Sequence, residues 1–103
     1  MFYTDDNKRE LLQLIGKNVS YYRYHSNNHK IMNEKGFVTV EKLAEVVDSS
    51  PNMIYNLTAK NVEQGVSVVF LDKLARALDV ALYCFFLDEP IENPPKYKRK
   101  QRM

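Results

Sequence analysis

The sequence predicts an all-α fold of about five helices, on three observations. Apolar residues recur at steps of three and four in separate segments, and four of those segments open on a serine or threonine suited to capping a helix. No alternation of apolar and polar residues with the period of two of a half-buried strand rises above these helical signals. With 103 residues, 45% of them hydrophobic, the chain can bury one core.

Thr4-Asp5-Asp6 caps a first helix, in which Leu12, Ile15, Val19 and Tyr22 form one apolar stripe reaching at least to Arg23. His25 to Gly36 is polar, holds three asparagines and ends on glycine, so it reads as a connection with a short turn around Lys30 to Lys35. Thr39 caps a short second helix with Val40, Leu43, Ala44 and Val47 on one side, and Asp48-Ser49 breaks it. Ser50-Pro51 starts the third helix, because the serine hydroxyl can cap free amides and proline lacks only an amide that the first turn leaves unpaired. Met53, Ile54 and Leu57 are its apolar positions, while Asn52, Tyr55 and Asn56 point away from the core. Beyond Gly65, Ser67 caps a fourth helix with Leu71, Leu74, Ala75 and Leu78 on one stripe. Ala81 to Leu87 adds a last turn or two, and Pro90, Pro94 and Pro95 stop further helix. The domain is read as residues 1–89, followed by a basic, flexible tail over 90–103.

The formal charge of +2 hides a polarised distribution. Lys96, Lys98, Arg99, Lys100 and Arg102 place five positive charges in the last eight residues, and the remaining residues carry a net of −3. Within the body, residues 16–60 hold six basic and four acidic groups, whereas 61–95 hold two basic and six acidic. Met1 to Asp6 has neither the basic flank nor the apolar run of a signal peptide, and no later stretch approaches the roughly 18 apolar residues of a spanning helix, so the expected location is cytoplasmic, away from membranes. The single cysteine, Cys84, can form no internal disulfide, which agrees with a reducing compartment.

Two short helices joined by three or four residues, the second capped and polar outside, are what a helix-turn-helix requires, and residues 39–58 meet that description. Around them stand Ile15-Gly16-Lys17-Asn18-Val19 with Tyr22-Arg23, then Thr39-Val40-Glu41-Lys42-Leu43-Ala44, then Ile54 and Leu57, then Leu71-x-x-Leu74-Ala75-Arg76-Ala77-Leu78-Asp79-Val80. This pattern resembles the Xre/Cro/CI family of phage-repressor-like regulators over residues 15–86, apart from the connection. The resemblance implies a five-helix, lambda-repressor-like DNA-binding domain, homodimeric on palindromic double-stranded DNA and acting as a transcriptional repressor without cofactor. It implies base contacts from the first two residues and the sixth of the third helix, here Pro51, Asn52 and Asn56. Asparagine can bond adenine N6 and N7 together in the major groove, and Tyr55 between them could touch a thymine methyl or a phosphate. Phosphate contacts that bracket such a helix would come from Thr39, Lys42, Ser50, Lys60 and Asn61, with Arg23 and the tail cations as further candidates. A dimer seam is expected at Leu82 to Phe86, with Leu82, Phe85 and Phe86 as its core.

The chain departs from the family pattern in three places. Val40 stands where a glutamine is usual, which removes an amide that would reach the backbone or brace the first reading residue. Thr58 stands where a glutamate often pairs with the arginine at Arg23. The connection is about ten residues longer than the pattern, and it is expected to lie near the DNA-side edge or across a dimer neighbour, outside the core.

Other chemistries are poorly served. His25 and His29 could share a helix face, but no acidic or cysteine neighbour completes a metal set. The chain has no glycine-rich phosphate loop and no serine nucleophile signature, so an enzyme is not expected. Cys84 beside Phe85 and Phe86 reads as a buried or interface thiol. The alternative reading is a repressor-like protein-interaction module of antitoxin or antirepressor type, favoured by Val40, Pro51, the acidic second half and seven tyrosines.

Overall fold

Thr4 opens the chain's longest helix with a reciprocal cap: its hydroxyl accepts from Asn7 N at 3.1 Å, and Asn7 Oδ1 accepts from Thr4 N at 2.9 Å. The computed structural model describes residues 2–59 and 65–98. Among them are α1 (Asp5–Tyr24), α2 (Val40–Val46), α3 (Pro51–Leu57) and α4 (Val68–Leu78), with two short 3₁₀ stretches at His29–Ile31 and Leu82–Phe86 and no strand. The all-helical expectation stands with four α-helices, and the fifth expected element, after Ala81, is a 3₁₀ segment.

The predicted stripes form the core. Leu12, Ile15, Val19 and Tyr22 of α1, Val40, Leu43, Ala44 and Val47 of the α2 region, and Leu71, Leu74, Ala75 and Leu78 of α4 are all buried, together with Ile54 and Leu57 of α3. Met53 differs: it is 49% exposed, because α3 is only two turns long and its core-facing sector is filled by Ile54 and Leu57. Thr39 and Ser67 cap as expected, accepting from Lys42 N and Phe70 N at 3.0 Å each. Ser50 occupies the cap position of α3 without a side-chain cap bond, so proline alone marks that start.

The side chains of α1 also hold the end of the fold. Asn18 is fully buried, and its amide donates to Phe85 O at 2.9 Å and Leu87 O at 2.8 Å. Lys17 Nζ donates to Asp88 O, and Tyr22 Oη accepts from Ile91 N at 2.8 Å. Burial pushes the Tyr22 phenol and the neighbouring Cys84 thiol above their usual pKa ranges, so both stay neutral at pH 7.

The connection before α2 is packed at Ser26 to Asn28 and at Ile31 and Met32, contrary to the expectation that it would lie outside the core, while His29, Lys30 and Glu34 to Gly36 are exposed. Ser26 is buried with its hydroxyl donating to Leu78 O at 2.8 Å, Asn27 Nδ2 donates to Asp79 O and Pro94 O, and Asn28 Nδ2 donates to Ala77 O at 2.8 Å. Ile31 and Met32 pack against the core. The physical reason lies in α4: the last carbonyls of a helix have no partner within it, and this segment supplies the missing donors. The boundary drawn at residue 89 also moves. Pro94 is buried, Ala81 N donates to Pro95 O at 2.9 Å, and Tyr97 is anchored by Asp79 to its amide and Asp72 to its hydroxyl, at 3.1 and 2.7 Å. Arg76, paired with Asp72, lies 4.8 Å over the Tyr97 ring. Residues 90–98 are therefore a strap on the domain.

Replacing Asn27 and Asn28 together by alanine removes two hydrogen bonds to the end of α4 and one to Pro94 O, and should lower unfolding stability by about 2 to 4 kcal/mol in urea denaturation. An unchanged midpoint would show that the connection is dispensable.

Candidate nucleic-acid interface

The α2–α3 pair is built on a tight turn. Helix α2 ends with Asp48 in the left-handed conformation at φ 57°, with Asp48 N donating to Glu45 O at 3.2 Å and Ser49 N to Ala44 O at 2.9 Å. This Schellman arrangement reverses the chain within Asp48 to Ser50 and leads directly into Pro51. On the inner side, α3 approaches α1 at Gly16 so closely that a Cβ there would overlap the Leu57 carbonyl oxygen and stand 3.2 Å from Thr58 Cα. Only glycine fits, and its absence of a side chain sets the depth at which α3 sits.

The outer side of α3 carries Pro51, Asn52, Tyr55 and Asn56, all exposed. Asn52 and Asn56 are four residues apart and share a face. Tyr55, 48% exposed, is not free at its hydroxyl, which donates to Glu41 Oε2 at 2.7 Å. That bond holds the Glu41 carboxyl below its usual pKa range and lifts the Tyr55 phenol above its own. A phosphate contact through the Tyr55 hydroxyl would have to break it.

The phosphate candidates divide into several groups. Arg23 is half-buried and committed: Nη1 donates to Val38 O at 2.9 Å, Val38 N donates back to Arg23 O at 2.8 Å, and the guanidinium lies 5.0 Å over the Tyr24 ring. It is a brace between α1 and the entry to α2. Thr39 uses its hydroxyl as the α2 cap, and Lys42 reaches Glu45 at 3.4 Å, a surface pair that contact with an anion could exchange. The Ser50 side chain is exposed without a cap bond. Lys96 and Lys98 are exposed on the strap, while Lys60, Asn61, Arg99, Lys100 and Arg102 lie outside the described residues. Val40 is buried, so α2 presents no polar first residue.

The expected seam is only partly available. Phe85 is fully buried against Tyr22 and belongs to the core of this chain, and Asn18 bonds its carbonyl. Leu82 is half-buried, and Tyr83 and Phe86 are the exposed aromatics of the 3₁₀ stretch. Among the described residues, no group of three or more histidine, cysteine or acidic side chains could hold a metal, and His25 stacks on Tyr21 at 4.1 Å. No helix among them is long and apolar enough to cross a membrane. Compared with family models, curated proteins and solved structures, the chain finds no match.

Gly16→Ala should destabilise the protein by about 1 to 3 kcal/mol, since the methyl group meets backbone that cannot rotate away. Thermal or urea unfolding measures this, and a neutral result would mean that α3 can slide on α1 without loss.

Proposed function

We propose that this chain is a sequence-specific DNA-binding transcriptional repressor of lambda-repressor-like architecture, with α3 entering the major groove. The observation that carries the reading is the pair Asn52 and Asn56, exposed one turn apart on a two-turn helix that starts at Pro51 and whose opposite face is buried in the core through Ile54 and Leu57. Asparagine side chains can bond adenine N6 and N7 together, and a reading helix must be held rigidly to place them. Pro51 contributes no polar group and fixes the start of the helix.

From Thr39 to Thr58 the chain carries Lys42 against Glu41, Glu45 and Asp48, so attraction to phosphate must come from elsewhere. The strap and tail from Lys96 onward supply it, anchored at Tyr97. Two copies related by two-fold symmetry would place their α3 helices about 34 Å apart, with Leu82, Tyr83 and Phe86 at the seam.

The same acidic balance favours a second reading, a repressor-like module that binds a protein through the α2–α3 face, where Met53 and Tyr55 expose apolar surface. Two variants separate the readings. Asn56→Ala should cost about 1 to 3 kcal/mol on the preferred site while leaving binding to unrelated duplexes nearly unchanged. Replacing Lys96 and Lys98 by glutamine and removing Arg99 to Met103, which keeps the Tyr97 anchor, should weaken binding to all sequences alike and flatten its salt dependence by up to about 0.9 in slope for each charge that meets a phosphate. Mobility shifts across a salt series check both. Equal losses on every sequence from both variants would show that α3 reads no bases, and no salt-sensitive binding by the intact protein would leave the protein-interaction module.

A further inference from the structure

The bond between Tyr55 and Glu41 joins two helices through exposed side chains fourteen residues apart. Tyr55 lies between Asn52 and Asn56 on the outward side of α3, so the Glu41 carboxylate is fixed at the margin of that same surface. The positive charge of Arg23, itself tied to Val38 O, favours the ionised form of Glu41. Glu41 also lies in the first turn of α2, where the helix dipole favours a negative group. The hydrogen bond to Tyr55 uses one of the roughly four lone-pair sites of a carboxylate, which leaves acceptor capacity facing outward.

An ionised carboxylate can only accept. In the major groove the outward donors are the exocyclic amines, cytosine N4 and adenine N6, whereas guanine O6 and N7 and thymine O4 are acceptors that would be repelled. Two asparagines, able to donate and accept, cannot make that distinction as sharply. Resting on the DNA-reading assignment above, we propose that Glu41, held in place by Tyr55, is a specificity-determining group that selects a base presenting an exocyclic amine, cytosine foremost. Tyr55 is then a positioning residue, acting on the same base pair through Glu41.

The test is selection from a random duplex library by the full chain and by Glu41→Ala, Glu41→Gln, Tyr55→Phe and Asn56→Ala, with melting curves to establish that each variant is folded. One position of the half-site should prefer cytosine with the intact protein, and Glu41→Ala should reduce that preference roughly 5- to 150-fold without altering the other positions. Tyr55→Phe should blur the same position to a smaller degree. Glu41→Gln, which keeps an acceptor and gains a donor, should admit guanine or thymine there. Tighter binding of Glu41→Ala to every sequence with unchanged preferences would overturn the proposal, because the carboxylate would then only repel phosphates. Preferences lost in Asn56→Ala but identical to the intact protein in Glu41→Ala and Tyr55→Phe would overturn it alone. An intact protein that returns no preferred sequence would overturn the DNA-reading assignment and this inference with it.

Discussion

The depth at which α3 lies on α1 is set at one residue, Gly16, whose missing side chain lets the helix pack its backbone against the end of α3. A recognition surface needs its reading side chains held within a fraction of an ångström, and a two-turn helix has too little buried area to hold itself. Ile54 and Leu57 supply what burial there is, and Gly16 removes the spacer that would otherwise lift them out of the core. From the same helix Lys17, Asn18 and Tyr22 fix the segment from Phe85 to Ile91, and Arg23 fixes Val38. Helix α1 is thus the spine to which α3 and the C-terminal segment are both fastened.

A second constraint is the end of α4. Its carbonyls are met by Ser26, Asn27 and Asn28 from one side, and Asp79, left-handed at φ 56°, turns its carboxylate to Tyr97 on the other. Burying polar backbone without partners is costly, so the long connection and the strap are held here by the groups that α4 leaves open. Residues 96–98 are thereby held against α4, with Arg76 stacked on the Tyr97 ring.

The stripes on α1, α2 and α4 were legible in the sequence because helices of this kind repeat their buried positions every three or four residues, and because Thr4, Thr39 and Ser67 cap with side chains that announce a start. The outward placement of Asn52 and Asn56 followed from the same spacing. Met53 was misplaced because seven residues describe too little of a helix to tell the middle of its buried sector from the edge. The asparagines at 27 and 28 read as a loop because a polar run carries no mark of whether its partners are water or a distant helix end. Phe85 and Phe86 are adjacent and alike in composition, and only the packing of the 3₁₀ stretch against α1 distinguishes the buried ring from the exposed one. The Tyr55–Glu41 contact and the commitment of Arg23 depend on how the helices cross, which no local pattern encodes.

These constraints meet at the α2–α3 surface proposed to read DNA: a rigid base, two exposed amide side chains and an acidic margin. Amide-resolved titration with a short duplex tests that assignment most directly. Shifts should concentrate at Asn52 to Asn56 and at the start of α2, with a smaller response from Lys96 onward and none at Ser26 to Asn28. Shifts confined to the residues after Lys96, with α3 unmoved, would contradict it.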